Sequence, residues 1–415
     1  MRQSIIFILY LLCTFTARSQ SVLTPEQAGS IYYAYPAPPS TYTSAPAGYE
    51  PFYISHYGRH GSRWMTADER YTEVICVFDS LYQCSELTPL GVDVRERLHK
   101  VWEDARGCSG SITPLGEHQH REIAERMYRN FPQVFRGGAF IDARSSTSLR
   151  CAMSMSYFTE RLKELNPALQ VNRRAYHRYM DYIAYTSPEG EKFASEKAPW
   201  RRGFREFEKK NVRPERLMAS LFVKPEAITD QDAMMRSLYW IAADMQNVEL
   251  DLSFYDIFEY EELVGVWKTV NARMYVCNAA APLNGGLMPR CAVPLLRNIL
   301  ESADAAIEKG TPAADLRFGH DTHLIRLLAL MQIEGCSNQE VDMEKFHLAW
   351  QDYRVSPMGA NLQLIFYRDK KNDILVKFLL NECEVALPLK SKMVPYYSWK
   401  EVETFLAEII GKEQP

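Results

Sequence analysis

The chain has 415 residues, enough to bury a large core and to hold more than one compact unit. Its formal net charge of -4 supplies no global field toward nucleic acid or an anionic membrane, so any anion site must be local. Residues 1–19 read as a secretory signal, with Arg2 as the charge, Ile5 to Phe15 as the apolar stretch and Ala17-Arg18-Ser19 as the cleavage site. That stretch is too short to span a bilayer, and no other segment is continuously apolar over the required length. Cys13 follows Tyr10-Leu11-Leu12 without a small residue before it, which favours simple export over a lipid anchor. The mature chain is therefore expected to be soluble, periplasmic or secreted, without stable membrane insertion. The absence of any Asn-x-Ser/Thr acceptor points toward a bacterial periplasm.

Eight cysteines lie beyond the signal: Cys76, Cys84, Cys108, Cys151, Cys277, Cys291, Cys336 and Cys383. An even number in an exported chain permits disulfides, and Cys76 with Cys84 and Cys277 with Cys291 are the nearest neighbours. Small buried thiols are the other reading.

Residues 20–52 carry Pro25, Pro36, Pro38, Pro39, Pro46 and Pro51 among tyrosines and serines, which predicts an extended arm over the surface. The run Tyr53 to Trp64 begins like a strand, meets Gly58 and Gly61, and places His60 between Arg59 and Arg63. An imidazole flanked by two guanidinium forks suits an oxyanion with several oxygens. Gly61, without a Cβ, lets a ligand come close to the backbone. Helices are predicted over 67–82 and 91–105. A third starts with Thr113 as N-cap and Pro114 at its first position, and Ile123, Met127 and Phe131 form its apolar face. A short strand over 139–143 then turns through 144–150 into a helix whose Cys151, Met155, Phe158 and Leu162 share one face. Arg150 falls near that helix's N-terminus, where free N–H groups already favour an anion. An arginine there is unfavourable unless an anion accompanies it, which makes Arg150 a candidate ligand and Arg144 a second.

From 166 to 289 helical signals dominate, as in a mainly helical insertion. Within it, residues 192–216 hold nine basic side chains against four acidic ones, with Trp200, Phe204 and Phe207 interleaved. This is either a solvated helix face with aromatic anchors or a basic rim for a multiply charged substrate, the latter placing Arg201 and Arg205 at the pocket. Residues 314–318 form a strand that feeds His320-Asp321-Thr322-His323 and a helix carrying Leu324, Leu327, Leu328 and Met331. Two strands over 361–367 and 374–380 pair as a hairpin, and 399–410 closes the chain as a helix. The expected architecture is α/β, with a mostly parallel central sheet flanked by helices over 53–165 and 290–415 and a helical cap over 166–289.

The polar clusters at Arg59 to Arg63, at Arg150 and at His320 to His323 all follow strands and open helices. Ligand crevices in open α/β sheets form at the carboxyl ends of strands, so the three can converge on one phosphoryl site. His60 is the candidate nucleophile, Asp321 the acid and base, and Arg59, Arg63, Arg150 and His320 the phosphate ligands, with Thr322 a further candidate. A metal site using His56 with His60, or His320 with Asp321 and His323, is the competing class. The crowd of fixed positive charges opposes it.

Arg59-His60-Gly61-Ser62-Arg63 and His320-Asp321, with Thr113-Pro114-Leu115-Gly116 and Gln119 between them, resemble the histidine acid phosphatase branch of the histidine phosphatase superfamily. The Arg150 helix and Pro357-Met358-Gly359-Ala360-Asn361, leading into a strand that ends Tyr367-Arg368, look like that branch too, so the resemblance covers about Tyr35 to Leu406. It implies an α/β core with a helical cap, no metal or other cofactor, and acid-favoured hydrolysis of small phosphate monoesters through phosphohistidine. The extended arm and C-terminal strands are most similar to multiple inositol polyphosphate phosphatases and related phytases. His320-Asp321-Thr322 instead follows the wider phytase and acid phosphatase pattern, which keeps a general acid phosphatase acting on sugar phosphates as the alternative. A non-catalytic phosphate-binding relative would lack a nucleophile or an acid, and both are present.

Overall fold

The computed structural model describes residues 23–38 and 41–411; the expected signal peptide and Cys13 lie outside them. Its strands are β1 (Glu50–Arg59), β2 (Phe140–Ser145), β3 (Gln170–Arg174), β4 (Ala314–Gly319), β5 (Asn361–Arg368), β6 (Ile374–Leu380), β7 (Cys383–Val385) and β8 (Tyr396–Ser398). They form one sheet in the order β3-β2-β4-β1-β5-β6-β7, with β8 also paired to β6. The half from β3 to β1 is parallel, and β5 to β8 add antiparallel pairings, including the expected hairpin between β5 and β6. β4 is buried along its whole length, as a parallel strand covered on both faces must be. Its polar members are therefore satisfied internally: Tyr53 Oη donates to Asp315 at 2.8 Å and Arg317 donates to Ser55 Oγ at 3.1 Å.

Strand alternation sorts the apolar side chains to two faces. Tyr53, Tyr57, Leu362, Leu364, Phe366, Val376 and Phe378 face one core with Leu296, Ile299, Leu327 and Leu406. Ile54, Leu316, Phe318, Ile365 and Leu379 face the other, under the helices α3 (Pro114–Asn130) and α4 (Leu149–Leu165). The predicted apolar faces of these two helices, Ile123-Met127-Phe131 and Cys151-Met155-Phe158-Leu162, are the ones buried there. Thr113 caps α3 by accepting from Gly116 N at 3.2 Å. Among the described residues no helix is long and apolar enough to cross a membrane.

Four expectations are corrected. β3 lies inside the stretch read as a mainly helical cap and extends the sheet beside β2, so the helical run starts after Arg174. Helices α1 (Glu69–Gln83) and α2 (Pro89–Ala105), assigned to the α/β core, instead share a core with the later helices: Phe78, Val94 and Leu98 pack in one cluster with Leu217, Leu238 and Val266. The arm is not wholly superficial, because Gln27–Tyr32 forms a 3-10 turn with Ala28, Gly29, Ser30 and Tyr32 buried. All eight cysteines are free thiols; Cys76 and Cys84 are exposed, and Cys277 and Cys291 are buried and unjoined.

Candidate active site

The register of the sheet brings the two principal motifs together. Arg59 at the end of β1 pairs with Gly319 at the end of β4, and His60 N donates to Gly319 O at 3.1 Å. On the other side of β4, Ser146 N donates to Phe318 O at 3.0 Å, which delivers the turn that leads to Arg150. Three adjacent carboxyl ends thus supply His60, His320 and Arg150, as expected for a crevice of this sheet type.

The loop after β1 is gripped from three directions. Gly359 N donates to His60 O at 2.9 Å and Arg59 N donates to Ala360 O at 2.7 Å, which gives the Pro357 to Asn361 segment a buttressing role. Gln119 accepts from Ser62 N and donates to Ser62 Oγ, both at 2.9 Å. The first turn of α3 abuts the loop so closely that a Cβ on Gly61 would stand 2.7 Å from Gly116 O, and one on Gly116 would stand 2.2 Å from Ser62 O. Both glycines are needed for this approach.

His60 is buried, and its Nδ1–H donates to Gly61 O at 2.9 Å. A carbonyl can only accept, so this bond fixes the tautomer and leaves the lone pair on Nε2. Burial, reinforced by Arg59, Arg63, His320 and Arg150, holds His60 well below the usual histidine range. The ring stays neutral in mild acid. His320 stands edge-on to it with ring centres 5.7 Å apart, and burial, with Arg150 beside it, lowers His320 to about 4.

Arg59 is fully buried. Its Nη1 donates to Ile31 O at 2.6 Å and Ser356 O at 2.8 Å, while Nε and Nη2 have no hydrogen-bond partner among the described residues. Burial draws its pKa down to about 10, still charged at working pH. Asp321 Oδ2 lies 3.3 Å from that Nη2, and Asp321 Oδ1 accepts from Thr322 N at 2.7 Å. Burial alone would raise the Asp321 carboxyl, but Arg59, His320 and the Thr322 amide outweigh it and hold it below the usual carboxylate range. Arg63 is also buried; its Nη1 donates to Tyr32 Oη and to Trp64 O, both at 3.0 Å, and its Nε has no hydrogen-bond partner among the described residues. Burial would lower it, but Tyr32 and Asp244 prevail and keep it firmly charged. Arg150 is half-buried at the start of α4, again with an unpartnered Nε, and burial lowers its pKa. Buried guanidinium donors left unpaired are costly. Their convergence on one crevice is what an anion would satisfy.

The remaining candidates divide. Thr322 sits against Asp321, and its hydroxyl lies 3.2 Å from His323 Nδ1. Arg144 is turned away, paired with Asp142 and Asp315. Arg201 does not line the crevice as expected: it donates to Ala194 O at 3.0 Å, pairs with Glu196 at 3.1 Å and stacks on Trp200. Arg205 is exposed on the same helix, Arg201–Asn211, which buries Phe204 and Phe207. Along this helix Trp200, Phe204 and Phe207 are the buried anchors, Arg201 is buried beside them, and Arg202 and Arg205 are exposed. His56 packs between Phe158 and Phe318, and among the described residues no three His, Cys, Asp or Glu side chains group as metal ligands. Sequence reasoning missed Ser154, whose Oγ accepts from Gly61 N at 3.2 Å, and also Asn247, Asp244 and Tyr32. The aromatic density of the arm was the one available signal, and it bears on Tyr32 alone.

Fold and crevice together define a phosphate-ester hydrolase of the α/β type. The model of the histidine phosphatase superfamily (branch 2) matches residues 59–381, and the chain belongs to that family. It is a phosphoric monoester hydrolase. None of the curated proteins compared by sequence matches. Among solved structures it is similar to the multiple inositol polyphosphate phosphatase of Bifidobacterium longum in complex with inositol hexasulfate, at 17% identity over 92% of this chain and 97% of that one, TM-score 0.77. It is similar also to the phytase from D. castellii, at 14% identity over 93% and 85% of the two chains, TM-score 0.66. The Hafnia alvei phytase in complex with myo-inositol hexakis sulphate shares 12% identity over 88% and 98%, TM-score 0.56.

Proposed function

We propose that this chain is an exported phosphomonoesterase that hydrolyses inositol polyphosphates such as phytate through a phosphohistidine at His60. The observation that carries the mechanism is the His60 Nδ1–H bond to Gly61 O, which leaves Nε2 as the nucleophile beside unpaired guanidinium donors. Arg59, Arg63, Arg150 and His320 hold the phosphoryl oxygens. Nε2 attacks phosphorus as the P–O bond to the alcohol breaks, and the leaving oxygen takes a proton from Asp321. Water then attacks the phosphohistidine, gives its proton to the Asp321 carboxylate, and the P–N bond breaks to return neutral His60.

Asp321 is ionised in the free enzyme at mild pH because Arg59 and His320 oppose the effect of burial. The proton it delivers therefore arrives with the substrate, as the phosphate monoanion. Structural neighbours crystallised with inositol hexasulfates support the inositol assignment, and the apolar stretch behind Arg2 supports export. The His320-Asp321-Thr322 sequence favours a second reading, a general acid phosphatase acting on sugar phosphates.

The test is phosphate release from inositol hexakisphosphate and from an aryl phosphate, in acid with EDTA, for wild type and His60→Ala. EDTA-resistant release from the inositol substrate, abolished in the variant, is expected. Release from the aryl phosphate alone would move the function to the general acid phosphatase, and loss in EDTA would restore the metal class.

A further inference from the structure

Two consecutive residues of the N-terminal arm each hold one arginine of the Arg59-His60-Gly61-Ser62-Arg63 motif. Ile31 O accepts from Arg59 Nη1 at 2.6 Å. Tyr32 Oη accepts from Arg63 Nη1 at 3.0 Å, and the Arg63 guanidinium lies over the same ring, with Cζ 4.7 Å from its centre. In both arginines the held nitrogen is Nη1. The opposite edge makes no hydrogen bond among the described residues: Arg59 Nε and Nη2, and Arg63 Nε, are buried without a hydrogen-bond partner, with the Asp321 carboxylate 3.3 Å from Arg59 Nη2. A guanidinium binds an oxyanion best through such an edge, with two parallel N–H groups. The arm, together with Ser356 O on Arg59 Nη1 and Trp64 O at 3.0 Å on Arg63 Nη1, thus sets which edge faces the crevice.

The arm is locked for this purpose. Tyr32 is buried, and its carbonyl accepts from Asn247 Nδ2 at 2.9 Å, while Asn247 Oδ1 accepts from Ser62 Oγ at 2.7 Å, so arm and catalytic loop close on one side chain. One residue before Ile31, Ser30 adopts φ 60 and ψ -135, a backbone region that a residue with a Cβ enters only when its surroundings impose it. The imposed partner is Asp352, which accepts from the Ser30 hydroxyl and also from Trp267 Nε1 at 3.1 Å and Tyr353 N at 2.8 Å. Asp352 opens the segment that ends at Ser356, whose carbonyl is the second acceptor for Arg59 Nη1 at 2.8 Å. A single buried carboxylate therefore ties together both segments that aim Arg59.

We propose that Tyr32 is a positioning residue for phosphoryl recognition, fixing Arg63 so that its free edge meets the anion, and that the Ser30–Asp352 tie does the same for Arg59 through Ile31 O. This rests on the reading of the crevice as a phosphate site. The experiment measures inorganic phosphate binding by calorimetry, and KM and kcat on an aryl phosphate, for the mature chain and its Tyr32→Phe and Ser30→Ala variants. Tyr32→Phe keeps the ring over Arg63 and removes only the acceptor. Loss of one charge-assisted hydrogen bond predicts phosphate binding about tenfold weaker and KM raised about tenfold, with kcat changed less than about threefold. Ser30→Ala is expected to weaken phosphate binding by about threefold.

A Tyr32→Phe protein that binds phosphate as wild type does, whether or not its melting temperature falls, overturns the proposal. Should that variant fail to fold, unchanged phosphate affinity in Ser30→Ala overturns it by the same criterion. Wild type that binds no phosphate at all would sink the phosphate reading itself, a separate failure from that of the arm.

Discussion

Two arginine-rich regions of this molecule behave in opposite ways. Residues 192–216 hold the denser cluster of basic side chains, yet Arg201 is spent on backbone carbonyls, Arg216 on Glu262, Lys210 on Glu344, and Arg205 is solvated. The crevice at the ends of β1, β2 and β4 has fewer cations, but Arg59, Arg63 and Arg150 are wholly or partly buried and each keeps an unpartnered Nε. If the crevice is the phosphate site, as proposed, charge density along a sequence is a poor guide to it, and buried donors without hydrogen-bond partners, converging from separate strands, are a better one.

The largest expected effect tests the proposed nucleophile at the centre of that convergence. His60→Ala should lose on the order of 10⁴-fold or more in kcat with every phosphate ester, as removal of a nucleophile does elsewhere. Asp321→Asn should follow, with a loss of about 10²- to 10⁴-fold that is greater for alkyl than for aryl phosphates, since an aryl leaving group needs less protonation. Steady-state kinetics on a matched pair of esters checks both.

The pH dependence follows from the same charges. In the proposed mechanism His60, held far below its usual range, keeps its lone pair for attack in acid, while Asp321, held below the usual carboxylate value, depends on a proton brought by the substrate. kcat/KM should therefore fall as pH rises through about 6, where a phosphate monoester loses its second proton. An alkaline optimum would contradict the assignment of Asp321. The close approach of loop and helix gives a smaller effect: Gly61→Ala should destabilise by about 1–3 kcal/mol in chemical denaturation and lower kcat/KM, because the new methyl meets the Gly116 carbonyl and the loop must shift.

The smallest effect is expected in the other region. Arg205→Glu should change KM for the inositol substrate less than about twofold, as an exposed charge in salt does little. A large rise in that KM would return the basic stretch to the pocket.

Stability carries its own signature behind Arg63. Burial raises Asp244 to about 7, so the folded state holds a proton there that the unfolded chain releases near pH 4. The stability this gives is complete below the unfolded pKa and is lost as pH rises toward 7. Thermal melts should show that decline, and Asp244→Asn should flatten it.

Much of the site was legible because its chemistry is local in sequence. Arg59-His60-Gly61 and His320-Asp321 each end a strand and open a polar turn, and the alternation of β1 and β4 placed those turns at strand ends. What was not legible depended on partners distant in the chain. The buried turn at Gln27–Tyr32 is held by Tyr239, whose hydroxyl donates to Ala28 O at 2.6 Å, and by Asp352, and the prolines of the arm alone point only to an extended surface segment. β3 is a polar edge, Gln170-Val171-Asn172-Arg173-Arg174, whose only apolar member is Val171, too few to signal a strand. The faces of α1 and α2 were apolar in either assignment, and periodicity does not name the surface a helix packs against.

A covalent intermediate at His60 is the central claim of the proposed mechanism. Mass spectrometry of the enzyme, quenched in alkali within the first turnovers, should find a phosphoryl group on His60 that is stable to base, labile to acid and more abundant in Asp321→Asn with an aryl phosphate. A label on another residue, or full turnover by His60→Ala, would contradict it.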